Sequence, residues 1–295
     1  MTDEAPLALS DADLAAHPTN LAAGSLAGRS LLVTGGGGGI GRATAWLAAR
    51  LGARVAIAGR RLERLAPVAE AMRQHDLDCL AVTVDIRQRD SVDVMFDTVA
   101  QNWGGPPDLL VNSAGGQFPQ PAIDYTEKGW RAVIDTNLTG TFNVMQAAAR
   151  RWRDAGRGGS IVTIVVSPRG LHNVAHTCAA RAGVKAFSEA VAVEWAPLGI
   201  RVNCIAPGTI RSEGWQVYQP HVRKRYENVN PMRIAGSPWQ VAEAALFIGG
   251  PAGGFITGET MEMSGGGHLW GETWTTDKPQ WFRDATKAVD PGEST

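Results

Sequence analysis

Five consecutive glycines at residues 35–39, followed by Ile40 and Gly41, constrain the fold of this chain more than any other feature. They follow a short apolar run, Ser30-Leu31-Leu32-Val33-Thr34. They precede a stretch of helix formers over 42–51 that Gly52 stops. A strand handing over to a helix through glycine offers the helix's unpaired N–H groups and the positive end of its dipole to an anion. Glycine suits that position because the turn is tight and a side chain would hold a phosphate away from the backbone. A flexible loop can also be glycine-rich, but nothing would then bracket it with a buried strand and a helix. The pattern is that of a dinucleotide-binding βαβ unit.

The remaining chain repeats the alternation. Val55-Ala56-Ile57-Ala58 reads as a second buried strand closed by Gly59, a helix is expected over 62–75, and residues 79–84 form a third strand. Further strands are expected at 109–111, 161–166 and 201–205, separated by helical stretches such as 129–153 and 177–195. Continuous apolar strands alternating with helices predict an α/β fold, a Rossmann-type doubly wound parallel sheet covered on both faces. One domain is expected over 28–268, with an arm at 1–27 and a tail at 269–295 carrying Trp270, Trp274, Trp281 and Phe282. Residues 211–236 break the alternation. They are polar, aromatic and basic, with His221-Val222-Arg223-Lys224-Arg225-Tyr226 at the centre, and they follow the carboxyl end of a strand. Insertions there often cover a ligand crevice, so this segment is the candidate substrate lid.

Composition narrows the classes. Of 295 residues, 44% are apolar and 19% charged, enough for a substantial core and unlike a disordered chain. A net charge of −1 argues against a nucleic-acid partner. Cys79, Cys178 and Cys204 form no CxxC pair or metal-ligand spacing, so reduced thiols and no metal are expected. No apolar run approaches the roughly 18–20 residues of a membrane span. The acidic start, MTDEAPLALSDAD, is unlike a signal peptide, and the final GEST is no targeting address. A cytoplasmic protein is the expectation.

The end of the second strand selects between cofactors. A site preferring NAD places an acid there for the ribose 2′-hydroxyl. This chain has Gly59-Arg60-Arg61, with Arg42 expected near the phosphates, and guanidinium groups match a 2′-phosphate bidentately. NADP(H) is therefore expected, with Arg60 the leading contact and Arg61 beside it.

Together, residues 34–41, Val84-Asp85-Ile86, Val111-Asn112-Ser113-Ala114-Gly115, Thr136-Asn137-Leu138-Thr139-Gly140 and residues 201–208 resemble the short-chain dehydrogenase/reductase family. They cover about 28–268, in order and at the family's spacing. The resemblance implies that Gly35, Gly38, Gly39, Ile40 and Gly41 form the pyrophosphate turn. It places Asp85 and Ile86 at the adenine. Asn112, Ala114 and Gly115 would line the adenosine side, and Pro207, Gly208 and Ile210 would cradle the nicotinamide. Within the family, Ala114-Gly115-Gly116-Gln117-Phe118, Asn137-Leu138-Thr139-Gly140-Thr141-Phe142 and Ala179-Ala180-Arg181-Ala182-Gly183-Val184 resemble the peroxisomal trans-2-enoyl-CoA reductases, and the last of these, with Glu194-Trp195 downstream, also resembles the 2,4-dienoyl-CoA reductases. The peroxisomal address is missing, so only the chemistry is carried over. A homodimer or homotetramer is implied.

One departure is more informative than the matches. Most members of the family carry a Tyr and, four residues later, a Lys on one helix face. Aligning Arg181-Ala182-Gly183-Val184 on the Lys-containing stretch puts Thr177 at the Tyr position and Arg181 at the Lys position. The upstream serine position falls around Val165 and Val166, with Ser167 just beyond, while Asn137 matches the family's helix asparagine. A threonine hydroxyl does not readily release a proton at neutral pH, which disfavours carbonyl–alcohol interconversion by the usual route. Reduction of a conjugated double bond demands less. Hydride adds to the β-carbon, and donors stabilise the thioester oxygen without giving up a proton. Thr177, Ser167 and Arg181 are suitable donors, and Thr177 and Arg181, i and i+4, share a helix face.

Plainer readings stand beside these. Thr177 would serve equally as a helix N-cap, and Ser167, before Pro168, as a turn residue. Lys185 reads as a solvated charge, Cys178 as a packing residue, and His172 and His176 as neighbours of the pocket rather than acids. Three functions follow: an NADPH-dependent reductase of an activated C=C bond in a 2-enoyl thioester, an alcohol/ketone oxidoreductase with an unusual proton donor, and a cofactor-binding protein without redox chemistry.

Overall fold

The computed structural model describes residues 7–168, 171–218, 223, 229–270 and 280. Seven parallel strands form one sheet: β1 (Ser30–Thr34), β2 (Arg54–Gly59), β3 (Cys79–Thr83), β4 (Leu109–Asn112), β5 (Gly159–Ile164), β6 (Ile200–Pro207) and β7 (Thr260–Met263). Their order is β3-β2-β1-β4-β5-β6-β7. The order reverses between β1 and β4, which opens a crevice at the carboxyl ends of those two strands. The Rossmann-type sheet expected from the apolar runs is present. β7 is an addition, because its sequence, Thr-Met-Glu-Met, carries no continuous apolar run.

Alternate residues of each strand feed two apolar layers. Leu31 and Val33 of β1 face α2 (Gly39–Arg50), α3 (Leu62–Arg73) and α8 (Pro238–Gly249), whereas Leu32 faces α4 (Arg89–Trp103), α6 (Gly140–Asp154) and α7 (Ala175–Trp195). This is the two-residue period of a strand buried on both faces. Three tryptophans fill the layers: Trp46 and Trp239 on the α2/α8 side and Trp152 on the other. Trp152 Nε1 donates to the Pro107 carbonyl at 2.6 Å and Trp239 Nε1 to that of Pro18 at 3.0 Å, whereas the buried Trp46 Nε1 finds no hydrogen-bond partner among the described residues.

Residues 7–27 of the amino-terminal arm carry a short helix and pack on the body. Ser10 caps α1 (Asp11–Ala16) in a reciprocal box with Asp13, and Leu14 and Leu26 join the core. Arg50 donates to the carbonyls of Leu14 (2.9 Å) and His17 (2.8 Å), and His17 stacks on Trp239 with ring centroids 4.8 Å apart. The segment lacks a long periodic pattern because its contacts with the body come from one short helix and from scattered residues such as His17 and Leu26.

The expected helical stretch over 129–153 is one run with a widened turn. α5 (Glu127–Ile134), capped by Thr126, leads through a π-helical turn at Asp135–Thr139 into α6. Such turns recur at functional sites because the extra residue redirects a side chain. Here the residue inside it is Asn137, fully buried at the mouth of the crevice.

Candidate active site

The glycine turn closes over the carboxyl end of β1. Gly35 has φ +73°, and a Cβ there would lie 2.8 Å from Ala114 N, so neither the conformation nor the space admits a side chain. Thr34 Oγ1 accepts from Ala114 N at 3.3 Å and ties this turn to the loop after β4. α2 begins at Gly39 behind an N-cap, Gly38, that has no side chain, and its first turn holds no acid. The amides at this end are therefore uncapped by their own sequence and suit a pyrophosphate.

At the end of β2, Arg60 and Arg61 are exposed, and Arg64 packs beside the turn, 3.3 Å from a Cβ built on Gly37. Arg60 and Arg61 thus stand at the strand end where an NAD-preferring site holds an acid, and Arg64 follows in the first turn of α3. The Arg87 guanidinium beside Asp85, with Nε–Oδ1 2.9 Å and Nη2–Oδ2 2.6 Å, holds that carboxyl below the usual range, and Arg60 adds to the effect. Three of the candidate residues have side chains engaged elsewhere. Arg42 turns away from the turn and binds Asp11 and the Leu9 carbonyl. Asn112 buries its amide between Thr34 Oγ1 and Thr163 Oγ1, both at 3.4 Å, stitching β1, β4 and β5 rather than facing the crevice. The Ile86 side chain is core, since a Cβ on Gly140 would approach its Cγ1 to 2.7 Å.

Thr177 and Arg181 project from α7 toward the crevice and meet Asn137 there. Gly116 N donates to Asn137 Oδ1 at 3.0 Å, which fixes the amide orientation. Asn137 Nδ2 then donates to the Gly116 carbonyl (2.9 Å) and to Thr177 Oγ1 (3.0 Å). Because Thr177 Oγ1 accepts from Asn137, its own proton is available to a further acceptor. Thr177 is not the N-cap of α7. Val174 is, and no backbone N–H is bonded to the threonine hydroxyl. Arg181 Nη1 donates to the Ile164 carbonyl at the end of β5. Its Nη2 lies over Gly115, where any Cβ would collide with it and stand 3.0 Å from Asn137 Oδ1. Burial pushes this guanidinium down to about 10, with Cys204 opposing the shift, so it remains charged at neutral pH.

Two titratable neighbours lie on the same helix. His176 Nδ1 accepts from Thr177 N at 2.8 Å, and its ring stacks on Tyr125 and meets Phe118 edge-on, each with centroids 4.6 Å apart. Burial lowers its pKa, so the ring is neutral at neutral pH. Burial likewise raises the Cys178 thiol. Ser167 is buried, with its backbone N bonded to the Pro207 carbonyl at 3.3 Å. No hydrogen bond joins it to Thr177, Asn137 or Arg181.

A sequence profile described as enoyl-(acyl carrier protein) reductase matches residues 35–268. The chain is 33% identical over 251 residues to a probable 2,4-dienoyl-CoA reductase of Caenorhabditis elegans, covering 82% of this chain and 81% of that protein. It is 33% identical over 244 residues to a probable 2,4-dienoyl-CoA reductase of Bacillus subtilis, covering 81% and 96%. The chain belongs to the short-chain dehydrogenase/reductase family. The crystal structure of a short-chain type dehydrogenase/reductase from Mycobacterium marinum superposes with TM-score 0.76 at 32% identity, covering 88% of this chain and 99% of that one. Membership makes this chain a member of an oxidoreductase family whose fold binds a nicotinamide cofactor.

Set in this short-chain dehydrogenase/reductase frame, Pro207 ends β6, and Gly208 packs so closely that a Cβ would lie 2.8 Å from Ser264 Cα. Ile210 is buried and bridges to Gly236, whose N donates to the Thr209 carbonyl (2.9 Å) and whose carbonyl accepts from Arg211 N (2.8 Å). Both ends of the segment 211–236 are thereby pinned together. Its first part folds back on the site: Glu213 Oε2 accepts from Gly39 N at 3.0 Å, and Gln117 Nε2 donates to Tyr218 Oη. His221, Lys224, Arg225 and Tyr226 lie outside the described residues, as do Trp274, Trp281 and Phe282. Sequence reasoning missed Arg64, Arg87 and Glu213. The spacing of Asp85 and Arg87 was a usable signal, whereas Glu213 carried none. A cleft of about 460 Å³ opens at the opposite rim, by Arg29, Asp108 and Arg157, far from this cluster at the amino ends of β1, β4 and β5.

Proposed function

We propose that the protein is an NADPH-dependent reductase of the activated C=C bond of a 2-enoyl thioester. The observation that carries the reading is the Asn137–Thr177 hydrogen bond, which leaves the threonine proton free to be donated at the place on α7 where most of the family carries a phenol. The glycine turn fits the dinucleotide: its amides are uncapped by their own helix, and side chains are excluded where the backbone must approach. Arg60 is the leading partner of the 2′-phosphate, with Arg61 and Arg64 beside it. Gly38, Gly39, Ile40 and Gly41 hold the pyrophosphate, Asp85 and the Ile86 main chain receive the adenine, and Ala114 and Gly115 flank the adenosine. Pro207, Gly208 and Ile210 back the nicotinamide, and Arg181 reaches the ribose hydroxyls.

When bound, reduced nicotinamide supplies a hydride to the β-carbon of the substrate. Thr177 donates to the thioester oxygen as negative charge gathers there, and Arg181 adds a fixed positive charge next to it. Neither group surrenders a proton. Asn137 keeps the threonine hydroxyl aimed, and water protonates the α-carbon. Residues 211–218 cover the thioester, and the cations that the segment 211–236 carries in its sequence, Arg223 among them, suit the phosphates of a CoA carrier. Phe255 and Val193 are fully exposed and 77% exposed, the kind of apolar surface a second copy would cover.

Turnover of NADPH by the purified protein with crotonyl-CoA and 2,4-hexadienoyl-CoA, set against a panel of ketones, tests the reading. Oxidation of NADPH with the thioesters alone is expected. Turnover restricted to ketones would make the protein an alcohol/ketone oxidoreductase. Tight NADPH binding without turnover of any substrate would make it a redox-neutral binding protein.

A further inference from the structure

α2 presents a pair of contradictory features. Its own first turn contains no acid, as suits a helix end reserved for phosphate, yet a carboxylate is docked there. That carboxylate comes from Glu213, 174 residues away in sequence, and accepts from Gly39 N at 3.0 Å. It also lies over Gly38, where a built Cβ would stand 3.8 Å from Oε2 and 3.9 Å from Oε1. Ser212 closes on the same turn, with its Cβ 3.7 Å from a Cβ built on Gly39.

The dock has a second fastening. Glu213 opens a helical turn, Glu213–Val217, whose Trp215 is buried, and the next residue, Tyr218, accepts from Gln117 across the crevice. The base of the segment is pinned separately by Gly236, through the Thr209 carbonyl and Arg211 N. The Glu213 and Tyr218 contacts can therefore open while the base stays fixed.

We propose that Glu213 competes with the pyrophosphate of the nicotinamide cofactor for the amides at the start of α2, so that cofactor entry releases Glu213 and unlatches the segment 211–218. The proposal rests on the glycine turn being the pyrophosphate site, and not on the choice between NADPH and NADH. A carboxylate and a doubly charged pyrophosphate cannot share one amide cluster without strong repulsion, which weakens only over a Debye length. The contact therefore lowers cofactor affinity below what the amides alone would give, and it couples the position of the substrate-covering segment to cofactor occupancy.

Glu213→Gln separates charge from shape, because the amide still accepts from Gly39 N. Glu213→Ala removes both. Titration of the wild type and both variants with NADPH and with NADH, read by nucleotide fluorescence, measures the competition. Glu213→Gln is expected to tighten both nucleotides by the same factor, about fivefold at low ionic strength, shrinking toward unity in high salt. Glu213→Ala should tighten both at least as much. Unchanged or weaker binding of both nucleotides to Glu213→Gln would overturn the proposal, as would tightening of only one, since pyrophosphate is common to the two. A wild type without NADPH preference would remove the Arg60 assignment and leave the Glu213 factor intact. Binding of neither nucleotide by any variant would remove the cofactor site and this proposal together.

Discussion

Replacing Thr177 with Val separates a catalytic hydroxyl from a packing residue. The two side chains are nearly isosteric, and position 177 is only 2% exposed, so the substitution changes chemistry more than volume. Loss of a preorganised oxyanion donor costs roughly 2.7–4 kcal/mol of transition-state stabilisation, a fall in kcat of about 10²–10³-fold. A second cost falls on the fold. Asn137 Nδ2 keeps the Gly116 carbonyl at 2.9 Å but loses its acceptor at 3.0 Å, and a buried unpaired donor costs about 1–3 kcal/mol. Thermal stability should drop by several degrees in parallel. The informative comparison is wild type, Thr177→Val and Thr177→Ser, each measured for kcat with crotonyl-CoA, NADPH affinity and melting temperature. Thr177→Ser should retain most of the rate because it retains the hydroxyl. Thr177→Val should keep its NADPH affinity and lose the rate. Turnover of Thr177→Val at the wild-type rate would refute the oxyanion role and leave only the contact with Asn137.

Arg60→Ala should weaken NADPH by roughly 1.5–3 kcal/mol and leave NADH nearly unaffected; equal weakening in a binding titration would refute the 2′-phosphate assignment. Gly115→Ala drives a Cβ into Arg181 Nη2, so it should lower kcat at least tenfold. The double variant with Arg181→Ala should be no slower than Arg181→Ala alone; additive losses would show that Gly115 acts elsewhere. Asp108→Asn should cost roughly 1–2 kcal/mol at neutral pH. Burial by itself raises the Asp108 carboxyl, but hydrogen bonds from Ser30 N and Oγ, both 2.8 Å, with Arg157 and Arg29, bring it below the usual range. A depressed carboxyl stabilises the fold above its unfolded pKa, near 3.9, and that stabilisation is lost as pH falls through the folded value. The gap between wild type and Asp108→Asn in denaturant melts should therefore close in acid; a gap constant with pH would assign the loss to geometry.

What the sequence disclosed and what it concealed follow from the range of each interaction. Ser30–Thr34 and Arg54–Gly59 could be read as strands because aliphatic residues buried on both faces leave a continuous run, and the run survives without knowledge of partners. The 35–41 turn could be read because its requirement is local: backbone conformation and helix-end amides belong to one short segment. Thr177 and Arg181 could be placed on one face because helical spacing is also local. β7 was hidden, since Thr260–Met263 lies only half-buried at the sheet edge and needs no apolar run. Asn112 illustrates the long-range case. Its position at the carboxyl end of β4 marks it as near the crevice, but only the three-strand register shows that Thr34 and Thr163 take up its amide. The same limit applies at the centre of the site. Asn137, Gly116 and Thr177 come from three separate segments, and the chemistry depends on which atom of the asparagine faces which partner. Gly116 N decides that, because an N–H must find an acceptor, and the decision hands Thr177 a donor rather than an acceptor. A threonine hydroxyl does not readily release a proton, and the asparagine amide determines where this one can donate it.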